Sequence, residues 1–389
     1  MQIFHEIRRP RRPTHGTALF CAVIVSGVVA SGTAFAQTAA PAPMAAVAPS
    51  TKLAPLPDAP KIDEKRAALG AKLFFDTRLS GDTSTSCASC HDPAKGWGDG
   101  NALSRGYTSV SYFRNAQGLF NAALRKRFTW DGRLDGSDGA TLVRDMITEA
   151  HFMNADTRIV QERLKQVPEY VDAFKAAFGG DPYGGSIYGS VAEFLKTIRT
   201  VEAPLDKFLR GDAGALTDQQ KAGRILFEGK AGCVACHSGA MLSDGRQHAT
   251  GVPDNPELNS NAERQIAMLR HYSSMGVPNF MNRRSDLGLY VVTKDDKDLG
   301  KFQTPSLWDV GQTAPYMHSG IFTTLTQVVD FYDVGGGASP NKDAALKPLG
   351  LTADEKKALI AFLESMTGAK PAVTPIKPPA QALREHGKN

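Results

Sequence analysis

Cys87-Ala-Ser-Cys90-His91 constrains this chain more than any other stretch, because it returns once, as Cys233-Val-Ala-Cys236-His237. Two cysteines three apart, followed at once by histidine, form the attachment signature of a c-type haem. Each thiol adds to a vinyl group of the haem, and the adjacent imidazole is held under the iron as its proximal ligand. The two copies use four of the five cysteines, and the fifth, Cys21, lies in a segment that reads as removable. A structural zinc site or a pair of disulfides would use the same residues. Zinc fingers, however, space their histidines differently, and a CxxC disulfide needs no histidine. The expectation is two covalently attached haems.

The N-terminus fits export. Arg8, Arg9, Arg11 and Arg12 precede an apolar run from about Ala18 to Ala30, and Ala34-Phe35-Ala36 offers a small-residue cleavage site. Residues 1–36 therefore read as a signal peptide, with the mature protein in the periplasm. The apolar run is short for a bilayer span, so no stable membrane span is expected. Of the formal net charge of +5, those four arginines against Glu6 account for +3, leaving the mature chain near +2. With no basic run and no stacking motif, nucleic acid is not an expected partner.

Residues 37–60 are rich in alanine and proline and read as a flexible lead-in. From Glu64, the apolar positions Ala67, Leu69, Leu73 and Phe74 predict an amphipathic helix ahead of the first motif. Its Gly70-Ala-Lys-Leu-Phe74 recurs as Gly223-Arg-Ile-Leu-Phe227 before the second, a faint repeat of helix, short loop and CxxCH. Thr217 with Gln220 and Thr352 with Glu355 fit the capping box. The second of these predicts a closing helix over Ala353 to Met366. Strand patterns are scarce. The expected fold is mostly α, with two cytochrome c-like haem domains in tandem, residues 61–215 and 216–368, long irregular loops, and a loose tail over 369–389.

Motifs outside the haem signature carry a family likeness. Leu73-Phe-Phe-Asp-Thr-Arg-Leu-Ser80, Arg114-Asn115, Asn121-Ala-Ala, Trp130-Asp-Gly-Arg133, Phe302-Gln-Thr-Pro-Ser-Leu307 and Thr313-Ala-Pro-Tyr-Met-His-Ser-Gly320 resemble the bacterial di-haem cytochrome c peroxidase and MauG family over roughly residues 62–367. The resemblance implies a peroxidase whose two haems have different tasks. The haem on Cys87, Cys90 and His91 meets hydrogen peroxide, and the haem on Cys233, Cys236 and His237 exchanges or stores electrons. Trp130 matches the tryptophan between the haems; read from composition alone it would be a core aromatic.

In this family the sixth ligand of the C-terminal haem is a methionine in one branch and a tyrosine in the MauG-like branch. The matching position is Tyr332, on a helix beginning at Thr324. A core tyrosine is the alternative, with Met317, Met275 or Met281 as ligand. An oxygen ligand lowers the reduction potential relative to a thioether. No histidine lies between His91 and His151, which predicts an open distal face on the N-terminal haem, needing no reductive activation. Where the family usually has its acid/base glutamate, this chain reads Ile147-Thr-Glu149-Ala-His151-Phe-Met153, making Glu149 and His151 the acid/base candidates. On a helix, residues two apart point in different directions, so only one of them would face the haem.

The resemblance also implies one calcium ion, held by the Asn115 side chain and the Thr313 and Pro315 carbonyls, the hard oxygen donors that calcium prefers. The electrons would come from a small cytochrome c or cupredoxin. A protein substrate matured at tryptophan or tyrosine is the MauG-like alternative, and a di-haem electron carrier the alternative of another class. The stretch from Gly251 to Lys301, with Arg264, Arg270, Arg283 and Arg284, is either a docking surface or a solvated charged loop.

Overall fold

The computed structural model describes residues 52–107, 111–370 and 375–380; residues 1–36, read from the sequence as a signal peptide, lie outside them. Among the described residues the helices are α1 (Glu64–Phe74), α2 (Gly139–Thr148), α3 (Thr157–Lys165), α4 (Pro168–Phe178), α5 (Gly184–Leu195), α6 (Pro204–Leu209), α7 (Asp218–Glu228), α8 (Glu257–Ser260), α9 (Ala262–Ser274), α10 (Tyr290–Thr293), α11 (Leu325–Asp333) and α12 (Ala353–Glu364). The strands β1 (Arg127–Phe128), β2 (Leu134–Asp135), β3 (Gln247–His248) and β4 (Phe302–Gln303) form two antiparallel pairs, β1 with β2 and β3 with β4. The mostly helical expectation holds.

Two crossed helix pairs organise the chain. Asp63 caps α1 by accepting from Arg66 N, and α1 buries Leu69, Leu73 and Phe74 in a core shared with Ile187, Val191 and Phe194 of α5. α7 and α12 open with the expected capping boxes and bury Phe227, Leu359, Phe362 and Leu363 in a second core. The repeated glycines explain the crossings. A Cβ on Gly70 would sit 1.9 Å from the Ser190 carbonyl oxygen, and one on Gly223 would sit 2.0 Å from that of Ala358. Only glycine admits so close a backbone approach, so the faint repeat marks the same packing used twice.

Several segments differ from expectation. The end of the alanine- and proline-rich lead-in is packed: Leu56 is 3% exposed in the second core, and its N–H donates to Asp206 Oδ1 at 2.8 Å. In the tail, Ile376 packs on the first core and the Pro379 carbonyl accepts from Arg78 Nη2 at 2.9 Å. The arginine-rich stretch from 251 to 301 holds α8, α9 and α10, and with Tyr112 and Phe113 it builds a third core around Met268, Tyr272 and Val291. Arg264 turns inward to the carbonyls of Leu103, Ser104 and Tyr112, and Arg283 lies over the Tyr290 ring. Only Arg270 and Arg284 of the four are exposed.

Candidate active site

Each CxxCH motif begins on a 3₁₀ turn, Cys87–Ser89 and Cys233–Ala235. The four thiols are free. Burial pushes the Cys87 thiol up to about 12, Cys90 to about 11 and Cys233 to about 12, so these sulfurs are held as thiols. The proximal imidazoles are set alike: His91 Nδ1 meets the Trp97 carbonyl at 2.9 Å, and His237 Nδ1 meets the Leu242 carbonyl at 3.0 Å. Donation from Nδ1–H leaves Nε2 with its lone pair, the form that binds a metal. Burial lowers both pKa values, keeping both rings neutral.

The helix crossings place these carbonyls. The Trp97 ring packs edge-on against Phe74 of α1 (5.7 Å between centroids) and Phe194 of α5 (6.1 Å). In the second half Leu242 is fully buried in the core that contains Phe227 and Phe362, whose rings lie 5.2 Å apart.

Beside the motifs are donors that the chain does not satisfy. Trp97 Nε1 and Arg125 Nε are buried without hydrogen-bond partners. Among the described residues Arg125 forms no ion pair; its Nη2 donates to the Gly118 and Phe120 carbonyls, and burial pulls its pKa down to about 10. A buried cation without a counter-charge is costly. The carboxylates of a haem would supply the missing acceptors, so the residues fit the group. At the second motif, His237, Cys233 and Cys236 line an apolar cavity with Phe227, Trp308, Val329 and Leu359.

Tyr332, near the C-terminal end of α11, lines that cavity. Burial, and then the Cys233 and Cys236 sulfurs, push its phenol up, opposed by a hydrogen bond involving Thr250. Met317 lines the same cavity, whereas Met275 packs against the third core and Met281 is 61% exposed.

Asn115, Thr313 and Pro315 all line this cavity. Asn115 commits its Nδ2 to the Asn101 carbonyl at 2.8 Å, which leaves its Oδ1 as the remaining side-chain donor toward a cation. Trp130 contacts Asn115. Its Nε1 donates to the Asn115 carbonyl at 2.9 Å, and its ring lines the second cavity, edge-on to His318 at 6.4 Å. The next residue, Asp131, belongs to a polar cluster beside the first motif.

That cluster holds the acid/base candidates. The segment after α2 lies against the first motif: the Met153 sulfur is 3.9 Å from Cys87 Sγ, and the His151 carbonyl accepts from Tyr107 N at 3.2 Å, two residues from Arg105, whose carbonyl lies 3.5 Å from Cys90 Sγ. α2 stops at Thr148, and Glu149 is an extended C-cap with ψ 130°. The helical expectation for this segment therefore fails, and with it the inference that only one side chain could face the site. Glu149 and His151 converge with a third residue, His271 of α9; one ligand atom from each lies within 4.8 Å of the others. Glu149 pairs with Arg133 at 2.7 Å. Burial raises its pKa against that arginine. Burial, then His271, lowers His151 to about 4, so its ring is neutral near pH 7.

Behind these groups Arg114 binds Asp131 at 2.6 Å and Asp286 at 2.6 and 2.8 Å, and Arg133 binds Asp131 at 3.0 Å. Burial would raise the Asp131 carboxyl, but Arg114 and Arg133 hold it well below the usual carboxylate range. His271 and the Asp286 partnership have no signature in local sequence. The spacing of Met268 and Tyr272 by four residues, both buried on α9, was the available signal for that helix.

Two motifs with free thiols, carbonyl-held neutral imidazoles and orphaned buried donors define a protein that carries two covalent haems. Comparison with known proteins narrows the class. The family model for di-haem cytochrome c peroxidase matches residues 64–214. Cytochrome-c peroxidase IdrP2 of Denitromonas iodatirespirans is 54% identical over 346 residues, 89% of this chain and 93% of the relative. Methylamine utilization protein MauG of Methylorubrum extorquens is 34% identical over 324 residues, 82% and 83% of the two chains. A solved MauG-like protein associated with microbial copper homeostasis superposes with a TM-score of 0.67 at 27% identity, covering 82% of this chain and 95% of that one. The chain belongs to the di-haem cytochrome c peroxidase family. Among the described residues no helix is long and apolar enough to cross a membrane.

Proposed function

We propose that this protein is an exported, periplasmic peroxidase that reduces hydrogen peroxide at the site built on Cys87, Cys90 and His91, with electrons relayed from the site built on Cys233, Cys236 and His237. The haems supply the redox chemistry when bound; the chain supplies position, charge and protons. Reduction of one peroxide to two waters consumes two electrons and two protons, so a group that moves protons must stand at the peroxide site. The observation that carries the reading is the convergence of Glu149 and His151 beside the first motif. A pure electron carrier has no use for such a cluster.

His151, neutral, accepts a proton from peroxide and returns it to the departing oxygen. Glu149, held by Arg133, keeps negative charge beside it and orients it. Trp130 lines the second cavity and its neighbour Asp131 anchors the first cluster, which supports a role for the indole in relaying electrons between the sites. Tyr332, which lines the cavity of the second motif, would supply an oxygen ligand to the second haem, setting the chain nearer the MauG-like branch in this feature. Asn115, Thr313 and Pro315, which line the same cavity, would hold one calcium ion. The donor is a small cytochrome c or cupredoxin. MauG-like maturation of a partner protein is the second reading, favoured by Tyr332 alone, and the high identity to a protein named as a cytochrome-c peroxidase favours the first.

The test is peroxide-driven oxidation of a reduced small cytochrome c or cupredoxin, compared between the native protein and Tyr332→Met. The native protein is expected to turn over the donor. The variant's second haem is expected to show a higher midpoint potential, because a thioether replaces an oxygen ligand. Absence of donor oxidation, with peroxide still consumed stoichiometrically, would move the assignment to the maturation reading. An unchanged potential in the variant would remove Tyr332 from the iron.

A further inference from the structure

His271 has no task in the account above, yet its surroundings are built. It is 1% exposed, and neither ring nitrogen reaches a hydrogen-bond partner among the described residues. Buried polar groups are nearly always paired, so an orphaned imidazole beside a reactive site calls for a reason. Its Nε2 stands 3.5 Å from Asp131 Oδ2, just beyond good hydrogen-bonding reach. On another side the His151 ring meets it edge-on, 5.4 Å between centroids and at 84°. Phe113 closes over it at 5.5 Å. The charged and titratable groups around the pair are Asp131, Glu149, Arg114, Arg133, Arg270 and Tyr112.

We propose that His271 is a positioning residue that shares one proton with His151 and stabilises it against Asp131 during peroxide reduction. The proposal rests on the reading of Glu149 and His151 as the acid/base pair. His151 takes the proton from the oxygen of peroxide nearest the iron and shares it with His271, whose cation faces the Asp131 carboxylate. The proton returns through His151 to the far oxygen. The O–O bond breaks with its electron pair on that oxygen, which leaves as water with both peroxide protons; two electrons, which the bound haems would relay from the donor, and two protons from solvent convert the remaining oxygen to the second water. Two imidazoles this close do not both carry a charge, so they titrate as a pair in two macroscopic steps.

Hydrogen cyanide is the probe, since it binds ferric haem as cyanide only after a distal base takes its proton, and the Soret band reports binding without turnover. In the diferric holoprotein, His271→Gln is expected to slow cyanide binding at neutral pH by about 10²-fold and to reduce the two-step pH profile to one step, with haem content unchanged. An unchanged rate and profile in His271→Gln, with His151→Gln defective, would overturn the relay and leave the acid/base reading standing. Unchanged binding in His151→Gln and Glu149→Gln as well would overturn both. If His271→Gln does not accumulate as holoprotein, the native profile decides: two steps below neutral pH support the shared proton, and one step overturns it.

Discussion

His151→Gln and Glu149→Gln are each expected to lower kcat/KM for peroxide by about 10²–10⁴-fold, the usual contribution of a positioned acid/base, while both haems remain attached. The two act through one cluster, with ligand atoms within 4.8 Å, so the double variant should be little worse than the poorer single one. Steady-state peroxide kinetics on the three variants measure this directly. The pH dependence has a definite sign. Burial and the neighbouring His271 lower His151 to about 4, so its basic form persists from neutral pH down to that region and is lost below it. Burial raises the Glu149 carboxyl above its ordinary value, so the native rate should begin to fall as Glu149 protonates and be lost as pH drops through about 4, where His151 follows. A rate that falls already near the ordinary histidine value would place the working base elsewhere.

The second large effect is on stability. Asp131 is fully buried between Arg114 and Arg133, at 2.6 and 3.0 Å. Removing one partner of a buried ion cluster leaves uncompensated charge, which costs about 3–5 kcal/mol. Asp131→Ala is expected to lose that much in guanidinium unfolding of the holoprotein and to loosen Glu149, because Arg133 bridges the two carboxylates. A loss near 1 kcal/mol, the scale of an exposed pair, would mean that the cluster is solvated and does not organise the pocket. Since the Asp131 pKa is depressed in the folded state, its contribution is fully present above the ordinary carboxylate value. It is lost as pH falls through the lower folded value, so mild acid alone should not release it.

The parts of this molecule that were legible in the sequence are those fixed by short spacing. The CxxCH motifs, the capping boxes at Thr217 and Thr352 and the glycines at 70 and 223 each state a local geometry, and the structure uses each of them. The acid/base region was legible in composition but not in shape. Its helix ends at Thr148, and that single extended residue at 149 turns two side chains that a helix would separate toward one another. What stayed hidden depends on partners far apart in the chain. Arg114 finds Asp286 across 172 positions, and His271 reaches the first motif on a segment whose four arginines suggested solvent. Arg264 shows why charge misled: its guanidinium serves backbone carbonyls rather than water.

The most direct test of the central claim, an open peroxide site with its own proton-moving cluster, is to add stoichiometric hydrogen peroxide to the diferric holoprotein with no donor present and follow the Soret and near-infrared absorption. The account predicts a prompt spectral change in the fully oxidised protein, lost together in His151→Gln and Glu149→Gln. No change until one haem has been reduced would contradict it, because His151 or His271 would then be a ligand of the first iron and not its acid/base.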